Sequence, residues 1–222
     1  MTMPEAQQHE SKTRLLKAAL HVIRAKGYSA TRVEDICDAA GLTKGSFFHH
    51  FKSKEDLALA AAGYWSDTTS AFFASAPYRA LPDPLDRLLA YIDFRKAIMQ
   101  GGLPDFTCLV GTMVQEIYDT HPALREACNR SISEHAATLV PDIRAAMRKR
   151  GMRGKWTAES LALYTQASIQ GAFILAKSRQ NAAIAADCID HLRRYVELLF
   201  HPPHAEDALA RLSHLGFGGK LI

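Results

Sequence analysis

The chain has 222 residues, 48% of them hydrophobic, with 27 Lys and Arg against 23 Asp and Glu and a net charge of +4; its isoelectric point is near 8.9. That length accommodates a small module beside a larger one, and the mild basic surplus favours an anionic partner without identifying it. No apolar run reaches the roughly 18 residues that span a bilayer, which argues against a membrane role. The four cysteines, Cys37, Cys108, Cys128 and Cys188, are widely spaced, lack C-x-x-C pairs and come without a signal peptide, so a reducing cytoplasm is the expected compartment.

Residues 1–10 are polar and are expected to form a flexible arm. Ser11 to Lys26 carries Leu16, Ala19, Leu20 and Ile23 at helical spacing, and Gly27 stops it. Thr31 is followed three residues later by Glu34, a capping-box spacing, and Val33, Ile36, Cys37 and Ala40 give the next helix one apolar stripe. Gly41 suits its left-handed C-terminus. Thr43 then caps a helix of about two turns running to His50. Its internal Gly45 costs about 1 kcal/mol of helix propensity relative to Ala, and it exposes Lys44, Ser46 and His49 opposite Phe47. So weak a helix needs a docking role to justify it. Phe51 closes the unit, and Ser53 with Asp56 caps a fourth helix. Three helices around one small core, the last short and polar outward, is the arrangement in which a recognition helix enters the DNA major groove.

Strand signals are scarce, and the expected fold is all-α. A helix from Lys54 to about Ala76 leads without a Gly/Ser linker into the larger part of the chain, and Pro77 to Pro84 breaks it. Leu85, Leu88, Leu89, Ile92 and Ile98 mark a fifth helix, and Phe106 to Tyr118 a sixth. Pro122 opens a helix toward Arg150 that Pro141 should kink or break. Two long helices follow, Thr157 to about Arg179 and Ala182 to Phe200. The first bears a strip of small residues, Ala167, Ser168, Gly171 and Ala172; the second bears Ile184, Cys188, Leu192, Val196 and Leu199. These seams suit a dimeric four-helix bundle or the core of a monomer equally. The expected division is an arm at 1–10, a helix-turn-helix at 11–57, an effector-binding and dimerisation domain at 58–200 and a tail at 201–222, in which Leu209, Leu212 and Leu215 could form a short helix.

The residues Gly27-Tyr28, Thr31, Val33, Asp35-Ile36, Ala40-Gly41, Gly45-Ser46-Phe47, Phe51 and Ser53-Lys54-Glu55-Asp56-Leu57 resemble the N-terminal pattern of the tetracycline-repressor-like (TetR) transcriptional regulators. The resemblance implies that Thr43, Lys44, Gly45, Ser46 and His49 face base edges and nearby phosphates. It further implies that His50 and Lys54 hold the DNA backbone and that Thr31 and Arg32 touch the opposite groove wall. Chemistry agrees: Lys44 can donate to guanine O6 or N7, Ser46 is a small adaptable donor and acceptor, and Gly45 permits close approach. Lys54 opens a helix whose free N–H groups already attract anions. Phe48 stands where many members have Tyr and so lacks a phenol hydrogen bond to phosphate. Cys37 replaces the usual Ala and reads as a small core residue. The resemblance also implies a homodimer through the helices at about 157–179 and 182–200, binding a palindromic double-stranded operator and answering to a small effector, more as repressor than activator.

Trp65, Tyr91, Phe94, Phe106, Cys108, Met113, Tyr118, Tyr164, Gln170 and Phe173, with Phe72 and Phe73, lie on segments that could surround an effector cavity; for each, plain core packing is the alternative. Few charges occur on these segments, so a mid-sized, mostly apolar effector is expected. No cofactor, metal or catalytic constellation is identified. Adjacent His49 and His50 point about 100° apart on a helix, and the His201-Pro-Pro-His204 stretch lacks companion ligands. The alternatives are a small-molecule-binding or enzymatic helical protein that keeps the three-helix module as a remnant, and an architectural binder indifferent to sequence.

Overall fold

The computed structural model describes residues 5–152 and 155–200, and among these there are helices and no strands. Helix α1 (Glu5–Lys26) begins six residues before Ser11, so Glu5 to Glu10 extend a helix instead of forming an arm. Residues 1–4 and the whole 201–222 tail, with the His201–His204 stretch and the helix expected around Leu209 to Leu215, lie outside the described residues. Helices α2 (Val33–Ala40) and α3 (Lys44–His50) complete the three-helix module.

The cap of α2 differs from the expected one. The sequence T-R-V-E-D contains two cap spacings, and the chain uses the second: the Asp35 carboxylate accepts from the Arg32 backbone N–H at 2.9 Å. Thr31 is buried, and its hydroxyl donates to the Gly27 carbonyl at 2.6 Å, closing the α1–α2 loop. The remaining caps form as expected. Gly41 sits at φ 61°, ψ 40°, Thr43 Oγ1 accepts from Ser46 N at 3.2 Å, and Ser53 Oγ accepts from Asp56 N at 3.1 Å.

Helix α4 (Lys54–Ala74) runs unbroken from the module into the larger bundle, followed by a 3-10 turn (Pro77–Ala80) and α5 (Pro84–Ala97). The helix expected over Phe106–Tyr118 is two elements. α6 (Leu103–Phe106) and α7 (Leu109–Ile117) are separated by the extended Thr107 and Cys108, with Cys108 Sγ accepting from Gly111 N to cap α7. The Pro141 signal resolves into α8 (Pro122–Ala137) and α9 (Val140–Lys149), Pro141 lying in the first turn of α9, where its missing N–H costs nothing. α10 (Ala158–Arg179) and α11 (Ala182–Phe200) end the described chain.

Two apolar clusters hold these helices. One gathers Phe73, Leu88, Ile92, Ile143, Ile169, Ile189 and Val196 in the bundle. The other joins Leu15, Ile23, Ile36, Phe47 and Leu57 of the module to Leu109, Met113 and Ile117 of α7 and Leu124 of α8. The helix-turn-helix therefore shares its core with α7 and α8, and a shift of α7 must be felt there, because packed interiors do not absorb displacement in voids. Phe47, fully buried in this cluster, sets the pose of α3; truncating it to Ala would cost about 3–5 kcal/mol.

Candidate DNA-reading surface and effector cavity

Helix α3 is pinned through Phe47 and presents Thr43, Lys44, Gly45, Phe48 and His49 to solvent, with Ser46 half-buried. Phe48 is 58% exposed, a large apolar side chain offered outward beside two polar ones. Lys44 forms an ion pair with Glu34 across the turn, and that contact holds the Glu34 carboxyl below its usual range. Arg32 is exposed and shares the Asp35 carboxylate with Lys26, whose Nζ lies 3.0 Å away; the Arg32 backbone N–H is the largest cause of the depressed Asp35 pKa.

Three residues expected on this surface are engaged elsewhere. Thr31 is inside the α1–α2 loop, as described. Lys54 Nζ donates to the carbonyls of Tyr28 and Thr31, each at 3.0 Å, and stands 4.4 Å from the centroid of the Tyr28 ring. It staples the loop to the start of α4, and its ammonium is spent on carbonyls instead of facing outward. His50 Nε2 is 2.6 Å from Ser11 Oγ, tying the end of α3 to α1, and burial followed by the nearby His49 lowers its pKa. Lys52, exposed, and Lys12, whose Nζ is 5.8 Å from the Phe51 ring centroid, are two further cations at this end of α3. Sequence offers no signal to separate Lys52 from Lys54; only the fold of the α1–α2 loop does.

The opposite side of the module is bonded to the bundle. Glu116 on α7 accepts from the backbone N–H groups of Tyr28 at 3.0 Å and Ser29 at 2.7 Å. It presses so close to Gly27 (φ 87°) that a Cβ there would collide with it. Arg24 of α1 donates to the carbonyls of Asp105 at 3.0 Å and Thr107 at 3.3 Å.

Behind these contacts lies a cavity of about 360 Å³ among α4, α5, α6, α8 and α10, at the lower end of volumes that hold small organic ligands. Trp65, Phe72, Phe73, Phe106, Cys108, Gln170 and Phe173 line it, as expected from sequence. Gln170 is held by a close approach to Gly111, where a Cβ would meet its side-chain amide. Five expected lining residues are elsewhere. Tyr91 is buried one layer behind the wall, Phe94 stacks among Phe72, Phe73 and Tyr78, and Met113 belongs to the core shared with the module. Tyr118 and Tyr164 are on the surface, the latter 5.0 Å from the Tyr195 ring. Helical periodicity places a residue on a face but not against a particular neighbour, which is why these five were misassigned. The cavity instead takes in Arg24, Arg95, His135 and Gln166, so two cations stand where few charges were expected.

His135 and Tyr91 form a polar chain beneath the cavity. Gln166 Nε2 donates to Tyr91 Oη at 3.0 Å, and Tyr91 Oη lies 2.9 Å from His135 Nε2. The phenol's proton is satisfied when it donates to an unprotonated Nε2, which puts the ring proton of neutral His135 on Nδ1. Burial, then the positive charges of Arg95 and Arg79, push the His135 pKa down to about 3, so the ring is neutral at physiological pH.

Residues 15–61 match the family model for the bacterial regulatory proteins of the tetR family, and residues 84–192 match the tetracyclin repressor-like C-terminal domain. The chain belongs to the TetR family. It is 34% identical over 107 residues to the transcriptional regulator AcuR of Cereibacter sphaeroides (46% of this chain, 47% of AcuR). It is 27% identical over 168 residues to the transcriptional repressor DhaR of Mycobacterium sp. strain GP1 (75% of this chain, 82% of DhaR). Matches to three curated relatives span 20%, 47% and 60% of those proteins' lengths. A TetR transcriptional regulator from Chloroflexus aurantiacus superposes with a TM-score of 0.75 at 28% identity, covering 86% of this chain and 96% of that one. TetR-family regulators bind DNA and act as dimers. Leu192 and Val196 of the expected dimer seam are buried in the monomer's own core. The apolar face left exposed lies around the helices from it, at Leu163, Tyr164, Ile174 and Leu175 of α10 and Tyr195 and Leu198 of α11. No helix among the described residues is long and apolar enough to cross a membrane.

Proposed function

We propose that this chain is a ligand-responsive transcriptional repressor that binds a palindromic operator as a homodimer. The observation that carries the reading is one continuous path: a cavity whose wall residues Arg24, Asp105 and Cys108 sit on or beside the segments bonded to α1 of the helix-turn-helix. In this reading Lys44, Ser46 and His49 read base edges, Gly45 allows the approach, and Thr43, Arg32 and Phe48 border the groove. Lys52 and Lys12 take the phosphate contacts that Lys54 and His50, both committed inside the module, do not make. The α10–α11 face with Leu163, Tyr164, Ile174, Leu175, Tyr195 and Leu198 supplies the dimer, since a contiguous exposed apolar patch marks a partner surface, and two-fold pairing places two short recognition helices on two half-sites.

Regulation follows from the bonds at α7 and α1. An effector that prefers a displaced α6–α7 segment must move Glu116 and the carbonyls that Arg24 holds, and with them the module; α4, continuous from Lys54 to the cavity wall at Phe73, offers a second route. A coupling of about 1–3 kcal/mol between effector and operator suffices for control, and it is reciprocal. The test is operator binding across a salt titration, with and without an effector found by screening. Affinity should fall steeply with salt and fall again when effector binds. An effector that occupies the cavity and leaves operator affinity unchanged removes the regulatory reading.

A further inference from the structure

Arg95 is the unspent group of this cavity. It projects from α5 into the wall, its Nε is shielded from solvent without a hydrogen-bond partner, and the Phe73 and Phe173 rings lie 5.2 and 5.7 Å from its Cζ. Such ring contacts use the charge of a guanidinium and none of its five N–H donors. Several other arginines near it have acceptors. Arg87 and Arg79 share Asp142 at 2.7 and 3.9 Å, Arg193 holds Asp93 at 2.8 Å, and Arg24 donates to backbone carbonyls. The two acids at the cavity wall, Asp105 and Glu134, are both exposed to solvent. Asp105 is already engaged, accepting from Gly102 N at 2.8 Å and lying 3.5 Å from His21. The interior histidine, His135, is neutral and cannot offset the charge.

We propose that the effector is an organic anion, an apolar or aromatic body bearing one carboxylate or phosphate, and that Arg95 receives the anionic group. This deepens the regulatory reading above and rests on it for the word effector. A shielded guanidinium N–H without an acceptor is unfavourable. An anion supplies both missing things, the acceptor and the countercharge, through the fork geometry that arginine offers to planar oxyanions. The body of such a ligand meets Trp65, Phe72, Phe106, Ile98 and Ile132, and the Ser66 hydroxyl, already donating to Ser131 at 2.7 Å, adds a neutral polar edge. The mostly apolar effector expected from sequence thus acquires a charged head, because Arg95 lies on the part of α5 that lines the cavity.

The test uses the full chain carrying Trp156→Phe, which leaves Trp65 at the cavity wall as the only tryptophan and its fluorescence as the report of occupancy. The probes are 3-phenylpropanoate and octanoate, their uncharged amides, and 2-phenylethyl phosphate. At least one anion should saturate the signal, with its matched amide about tenfold or more weaker; the ratio of carboxylate to phosphate affinity tells which anion the site takes. Arg95→Gln should bring the anion to the level of the amide, and Arg95→Lys, which keeps charge and loses the fork, should fall between. Amides that bind as well as acids, an Arg95→Gln protein that melts normally and binds the anion unchanged, or no saturation by any anion at millimolar concentration each overturn the proposal. Operator release is measured separately on the same samples. Anions that bind through Arg95 without altering operator affinity leave the anion site standing and remove the regulatory reading. Amides that bind and release operator as acids do remove the anion site and leave regulation standing.

Discussion

Replacing Glu116 by Ala should loosen the joint between cavity and DNA module. Its carboxylate receives two backbone N–H groups, Tyr28 at 3.0 Å and Ser29 at 2.7 Å, in the loop that also carries the Lys54 staple. Hydrogen bonds to a charged acceptor are worth about 1.5–3 kcal/mol each when sheltered. Glu116 is exposed, so solvent screening reduces the pair to about 1–2 kcal/mol in total. For a chain of this size each kcal/mol moves the melting midpoint by about 2–4 °C, so a drop of about 2–8 °C is expected in a calorimetric scan. Glu116→Gln keeps one acceptor oxygen and should fall between. The more specific readout is coupling: with the joint loosened, the ratio of operator affinities without and with effector should shrink toward one while effector affinity for the free protein changes little. If Glu116→Ala melts as the parent does and the ratio is unaltered, the α7 joint carries no coupling and the account of signal transfer is wrong.

Lys54→Ala should lower the melting midpoint by removing the Tyr28 and Thr31 carbonyl bonds, with little change in the salt slope of operator binding; Lys52→Ala should lower that slope by about one, and equal slopes for both would contradict the assignment. Lys44→Ala should relax base preference in a binding selection, whereas an unchanged consensus would place base reading elsewhere. His135 carries a pH signature. Its folded pKa of about 3 lies below its unfolded value, so between roughly pH 6.5 and 3 the unfolded chain binds a proton that the folded chain refuses. Stability is then fully present above the unfolded pKa and declines as pH falls, at up to about 1.4 kcal/mol per pH unit. Urea midpoints from pH 7.5 to 5 should fall less steeply for His135→Gln than for the parent, and parallel lines would refute the burial argument. Leu198→Asp, on an exposed position, should leave the fold intact and yield a monomer in sedimentation with weakened operator binding; a dimer of unchanged mass would place the interface elsewhere.

Much of the module was legible because its signals are local. Gly41, Thr43 and Ser53 act through hydrogen bonds to residues three or four positions away, and their caps form where the spacing put them. The cap of α2 was ambiguous because Thr31–Glu34 and Arg32–Asp35 share one spacing, and the choice fell to a bond that Thr31 makes back to Gly27. The internal bonds of Lys54 and His50 were illegible for a similar reason: their partners, the Tyr28 carbonyl and Ser11, are 26 and 39 residues distant in sequence. The cavity was half legible. Its aromatic wall follows from helical spacing, but Arg24 belongs to a helix assigned to the DNA module, and nothing local marks Arg95 as a cavity-wall arginine whose Nε is left without an acceptor.

The central claim, a two-fold DNA reader, is tested most directly by selecting bound sequences from random duplex with the full-length chain. The account predicts a palindrome of two half-sites whose centres lie about one or more helical turns apart, and loss of its most informative bases with Lys44→Ala. Recovery of duplexes with no shared sequence, or of a single unpaired half-site bound equally well by the Leu198→Asp protein, would contradict it.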